Sequence, residues 1–208
     1  MPELDAGLSA NRSVALEMRE ERRLVSEGYE LLDEKRVLLA TEILRRLAAH
    51  RILKKEWLAR YREARESLGA AIAAHGIEDL QLYPIAPRDF RIVTSARRVA
   101  GTVTTEPEAV ELLPAAHAAA PAVWPSTEVE TCAAVFVEVV TLGARVAIAE
   151  QNVRRLAREY VRTDRRARAL ENVLMPELDA MLRFIDEQLE YIDTEEAVRV
   201  HEAHRRTT

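Results

Sequence analysis

Arginine dominates the residues with chemical potential in this 208-residue chain, 27 of them against 3 lysines. Between residues 45 and 65 lie Arg45, Arg46, Arg51, Lys54, Lys55, Arg60, Arg62 and Arg65, opposed only by Glu56 and Glu63. A second run holds Arg154, Arg155, Arg158, Arg162, Arg165, Arg166 and Arg168, and from Glu177 to Glu196 the sign reverses to eight acids against Arg183. Guanidinium groups stay charged and fork onto carboxylates, so such runs either solvate a helix face or meet an acidic partner. Signals for catalysis are missing. No phosphate loop, dinucleotide-binding turn or His-Glu-x-x-His motif occurs. His201 and His204, three apart near the C-terminus, are too few to form a metal site, so no cofactor is implied. Cys132 has apolar flanks and reads as a small buried hydrophobe. Glu42 and Glu138, amid apolar neighbours, read as partners in half-buried ion pairs, and Trp57 and Trp124 as packing anchors.

The elements that would carry these charges are helices. Apolar residues make up 48% of the chain, inflated by 33 alanines, aromatics only 5%, and six of eight prolines fall between Pro84 and Pro125. The composition excludes disulfide-rich, collagen-like and disordered classes and argues against an ordinary compact globule. A net charge of -5 argues against nucleic acid as a partner. A lone cysteine fits a reducing, cytoplasmic setting, and the start of the chain carries no secretory pattern. The longest uncharged run, residues 112–127, is too short and too broken by proline to span a bilayer, so no membrane span is expected.

Residues 1–75 read as a first helix capped by Ser9 or Asn11, with Leu24, Leu31 and Leu38 repeating every seven residues, Leu32 and Leu39 one position on, and His75-Gly76 as its stop. Residues 126–208 read as a second, starting at Ser126 or Thr127. In it Leu178, Leu182, Ile185, Leu189 and Ile192 follow the 4-3 spacing of a coiled-coil seam. A first helix of that length, roughly 100 Å at ~1.5 Å per residue, needs a partner helix. Pro176 predicts a kink, since it lacks an amide donor and crowds the preceding turn. Residues 76–125 form the intervening insert. Within it Phe90–Thr94 and Val99–Thr104 predict a β-hairpin at about 89–104 turning at Ser95–Arg98, and residues 106–125 an irregular linker. The fold expected is mainly α: a long antiparallel two-helix coiled coil with the β-hairpin insert at its closed end. The two basic runs would then lie close together, making Arg45, Arg46, Lys54, Lys55, Arg154, Arg155, Arg158 and Arg162 a candidate basic belt.

Around Arg165, Arg166, Ala169, Leu170, Glu171, Pro176, Leu178 and Ile185 the chain resembles the D subunit of V/A-type rotary ATPases, with Arg168 in place of the family's usual Asn. Leu24, Gly28, Leu31, Leu32, Lys35 and Arg36 fit the family's first-helix pattern, with Asp33 departing from its Lys, and Gly101 lies in a match to its hairpin. The family's basic start and its hydrophobic, basic tail are replaced by acidic stretches. The resemblance implies a central rotor shaft whose termini enter a ring of alternating catalytic and non-catalytic subunits. Its other end would dock on a small globular stalk subunit and a funnel-shaped subunit atop the membrane ring, at the cytoplasmic face. ATP chemistry would belong to the ring, and this chain would carry torque. A non-catalytic coiled-coil scaffold or tether is the alternative, followed by a helical arm of an RNA-binding protein.

Overall fold

A computed structural model describes residues 11–83, 90–112 and 126–207. Elements run in the order α1 (Arg12–Leu80), β1 (Phe90–Val99), β2 (Thr102–Leu112), α2 (Thr127–Ala169), a π-helical turn (Leu170–Leu174) and α3 (Met175–Thr207). The chain divides into two compact units. Residues 1–37 and 161–208 make the first, and residues 38–160 the second.

In the first unit the start of α1 pairs with the end of α2, the π turn and α3. Arg12, Arg19, Arg22 and Arg36 meet Asp193, Asp186, Asp179 and Asp164 in turn, so the partner's number falls as the first rises and the pairing is antiparallel. Asn11 is the N-cap, its Oδ1 accepting the Ser13 amide at 3.1 Å. Ser9 lies outside the described residues. Ala15, Ala167, Leu178 and Ile185 are buried. The seven-residue repeat along α1 is not the seam. Leu24, Leu31 and Leu38 are 56%, 67% and 57% exposed, whereas Leu39 is fully buried and Leu32 half-buried. Leucines of equal hydrophobicity stand at adjacent positions of the repeat, and only pairing with a second helix decides which faces inward.

Pro176 is accommodated without an ordinary α turn. An α-helix would leave the Asn172 carbonyl with no donor and press the pyrrolidine ring against it. Here the preceding turn widens to π, and the Met175 amide donates to the Leu170 carbonyl five residues back. Single π turns are a known way to absorb such a mismatch.

In the second unit the rest of α1 runs antiparallel to α2. Arg60 pairs with Glu138 at 3.2 Å, and His75 meets Ser126 at 2.6 Å. The core is made of small side chains, Ala64, Ala71 and Ala144 with Leu39, Val139 and Leu156, so the backbones approach closely. A Cβ on Gly143 would stand 3.2 Å from the Trp57 ring nitrogen, which donates to the Val139 carbonyl at 3.1 Å. Helical geometry breaks at Gly76 (φ 77°), as glycine there predicts, but resumes, and α1 ends at Leu80 rather than at His75.

The hairpin is longer than expected and turns elsewhere. β1 and β2 pair antiparallel from Phe90–Leu112 to Val99–Thr102, so the turn is Ala100-Gly101, both with positive φ (47° and 81°). That is the type of two-residue turn whose twist matches the strands, and Gly101 occupies it without strain. Ser95–Arg98 is strand, and residues 106–112, expected as linker, belong to β2. Pro107 pairs with Thr94 beside a register slip whose extra residue is Glu108, and it stands two residues after Thr105 on the edge of β2 that faces away from β1, so the ladder does without its amide. Trp124 lies outside the described residues.

Candidate interaction surfaces

Three side chains hold the hairpin against the helices of its unit. Asn152, on α2, is 1% exposed and forks onto one strand residue. Its Oδ1 accepts the Thr105 amide at 2.8 Å and its Nδ2 donates to the Thr105 carbonyl. The amide thereby does what a neighbouring strand would do for that edge of β2, leaving no unsatisfied backbone group at Thr105. Arg155, one turn along, donates to Thr105 Oγ1 at 3.1 Å, and Arg46, on α1, pairs with Glu106 at 2.6 Å. Thr104, fully buried, ties β2 to β1 by donating to the Arg97 carbonyl. The hairpin thus sits along the helix pair at Arg46 and Asn152, well away in sequence on both helices from the His75–Ser126 contact. Nothing in the sequence singled out Asn152. Its signal is a buried amide in a helix otherwise edged by arginine, a poor position for asparagine unless the amide has a partner.

Of the basic belt, the structure pairs three members within the chain. Glu42 accepts from Arg45 (2.7 Å) and from Arg46 (2.7 Å), and Arg154 pairs with Glu150. Hydrogen bonds from Arg45 and then Arg46 hold the Glu42 carboxyl at about 2, well below its ordinary value. The half-buried ion pair expected for Glu42 is present, and Glu138 carries the more exposed one with Arg60. Lys54, Lys55 and Arg158 are exposed with no ion pair among the described residues, and the same holds for Arg162 in the first unit.

The resemblance residues divide in the same way. In the first unit Gly28 faces Leu170, a Cβ on it meeting Leu170 Cδ1 at 3.8 Å, and the Glu171 carboxylate lies beside Tyr29, pushing its phenol pKa up. Arg36 bridges Asp33 and Asp164. Leu178 and Ile185 are seam residues, whereas Leu24, Leu31, Arg165, Arg166 and Pro176 point to solvent, as does Gly101 at the hairpin tip.

A pair resembling a nucleophile and base also resolves as structure. Ser126 Oγ donates to Glu128 Oε2 and accepts the Val129 amide, so the His75 Nε2 beside it must donate. Ser126 is the N-cap of α2, and His75 braces it. Among the described residues no group of three or more His, Cys, Asp or Glu is placed to hold a metal. The helical stretch Thr127–Arg206 contains a segment long and apolar enough, by length and composition, to cross a membrane, and it is mostly uncovered. That segment is not the uncharged run at 112–127, because two charges are diluted by the apolar residues around them. Residues 131–149, with Glu138 and Arg145 as their only charges, include Cys132, Val139 and Ala144, which pack inside the chain, and Val137 and Val140, which do not.

The comparisons with known proteins agree with one another. A family model for the D subunit of ATP synthase matches residues 15–205. The chain is 29% identical to the V-type ATP synthase D subunit of Thermotoga neapolitana, over 93% of this chain and 95% of that one. It is 34% identical to the V-type D subunit of Anaeromyxobacter (89% and 87% covered) and 27% identical to the A-type D subunit of Pyrococcus horikoshii (96% and 94%). A non-catalytic pair of antiparallel helices with a docked hairpin, matched along almost its whole length, belongs to the D-subunit family of V/A-type ATP synthases.

Proposed function

We propose that this chain is the central rotor shaft of its complex, transmitting torque between a ring that makes or hydrolyses ATP and an ion-translocating membrane rotor at the cytoplasmic face. The family is not itself catalytic, and it belongs to a multi-subunit, membrane-associated ATPase. The observation that carries the finer reading is the mismatch between inner and outer faces. Inside each unit the helices are locked by alanine-rich packing and cross-helix ion pairs, while large side chains such as Leu24, Leu31, Val173 and Phe184 in one unit, and Leu44 and Ile52 in the other, are exposed. A stiff element with uncovered apolar and basic faces suits a part gripped by other subunits.

The partners are the catalytic and non-catalytic ring subunits, the small globular stalk subunit and the funnel-shaped subunit. The basic belt supplies weak, replaceable contacts, since exposed ion pairs contribute only ~0–1 kcal/mol each and do not block sliding. Because Arg46 and Arg155 hold the hairpin, the belt is tested at Lys54, Lys55, Arg158 and Arg162. Co-expression with the ring and stalk subunits of the same organism should yield a complex. Charge reversal at these four positions should leave the helices intact and lower ATP turnover coupled to ion transport. Unchanged coupling, or a chain that purifies alone, refutes the reading and favours a scaffold or tether.

A further inference from the structure

The underside of the hairpin and the two helices that hold it enclose a cavity of about 270 Å³ within the second unit. Its lining includes Arg45, Arg46, Arg97 and Arg145, drawn from α1, β1 and α2, together with apolar side chains such as Leu53 and Ile148. Among the described residues Glu106 is the only carboxylate in the lining, and Arg46 already holds it at 2.6 Å. Arg45 is held by Glu42, whereas Arg97 and Arg145 are exposed and make no side-chain ion pair or hydrogen bond among the described residues. Two separate elements, β1 and α2, therefore bring unneutralised positive charge to one recess, which costs free energy through like-charge repulsion unless an anion joins them. A free inorganic anion would use only the arginines. The apolar lining residues and a volume suited to one or two side chains match a segment with a carboxylate next to an aliphatic or aromatic residue.

We propose that the hairpin recess is a docking socket for an acidic, apolar-flanked segment of another subunit, with Arg97 and Arg145 as its carboxylate contacts. The proposal rests on the reading of the chain as a gripped subunit and adds the place and chemistry of one grip. Bidentate arginine–carboxylate pairing there would fix one orientation of the partner against the hairpin, which Asn152 holds in place.

The test is carried out in the assembled complex. R97K and R145K keep the charge and introduce an amine, which a water-soluble carbodiimide joins to an adjacent carboxylate as an amide with loss of water. Mass mapping should find position 97 or 145 linked to an Asp or Glu of another subunit. R97E/R145E should weaken assembly about 10- to 100-fold, more steeply at low salt. Links confined to this chain's own Glu106 or Glu42, no link at either position, or wild-type assembly of R97E/R145E would overturn the proposal. So would saturable binding of inorganic phosphate by the isolated chain, lost in R97A/R145A and unaccompanied by an intersubunit link, which would assign the recess to a small anion. If the complex forms normally and the recess stays unlinked, only the socket fails. If the chain joins no complex, the shaft reading fails with it.

Discussion

Asn152→Ala removes the fork that substitutes for a third strand. Two hydrogen bonds to the Thr105 backbone disappear, at 2.8 Å to the amide and a closer one to the carbonyl. A typical bond is worth ~0.5–1.5 kcal/mol net, and a buried backbone group left without a partner adds desolvation, so about 2 kcal/mol is the reasonable total once water re-enters the edge of β2. The loss falls on docking of the hairpin, because the α1–α2 contacts at Trp57–Val139 and His75–Ser126 lie elsewhere. Arg46–Glu106 and Arg155–Thr105 remain, so the hairpin stays attached but opens more often. At ~1.4 kcal/mol per decade, exchange of the Thr105 amide should accelerate roughly 30-fold. Hydrogen exchange read by mass spectrometry on peptides covering β2 is the assay, with peptides from 126–145 as the unchanged internal reference. Helix content should stay within error of wild type. If Thr105 exchanges at the wild-type rate in a folded variant, the fork is not what holds the hairpin, and the arginine pairs and apolar contacts must do so.

Glu42 gives a pH signature. Arg45 and Arg46 depress its folded pKa to about 2 from an ordinary 4.5, so its contribution is fully present above about 4.5 and is lost as pH falls toward 2. E42Q should therefore flatten the acid limb of a thermal-stability profile in that window and change the slope little at neutral pH. G143V should lower the melting temperature by several degrees and shift tryptophan fluorescence, because a branched side chain cannot fit 3.2 Å from the Trp57 ring nitrogen without displacing it; overpacking of this kind costs ~1–3 kcal/mol. G28A, by contrast, meets Leu170 at an ordinary 3.8 Å and removes glycine's helix penalty of ~0.5–1 kcal/mol, so the isolated chain should gain stability; a loss would mean that Gly28 packs more tightly than its geometry shows. A100G should stabilise the hairpin by about 1 kcal/mol by relieving a positive φ on a residue with a Cβ, again read by exchange in β1 and β2.

Much of the fold is legible along the chain, and the failures have specific causes. Proline-poor, alanine-rich arms read as long helices, and helices of that length must pair. Leu178 and Ile185 stand in the seam as their spacing says. The first helix misled because leucines fall at two adjacent positions of its repeat, and periodicity finds a stripe without saying which of two stripes is covered. The hairpin misled because Pro107 reads as a breaker, although on the edge of β2 that faces away from β1 its missing amide costs the ladder nothing. The basic residues read as one class, yet among the described residues Arg45, Arg46 and Arg154 have carboxylate partners while Lys54, Lys55 and Arg158 have none. Of the matching carboxylates, Glu42 and Glu150 lie within a turn of their arginines, but Glu106 lies far along the chain from Arg46.

The helical arms, the strand-forming insert and the proline that forbids a regular α turn all follow from local backbone chemistry: which residues lack a donor, branch at Cβ or accept a positive φ. That information is carried by neighbouring residues, so it can be read along the chain. Folding alone settles that Leu39 faces inward and Leu38 outward, that Asn152 stands in for a strand, and that Arg97 and Arg145 share a recess. Each of these depends on which segments far apart in sequence are brought within a hydrogen bond's reach, and no local pattern encodes that.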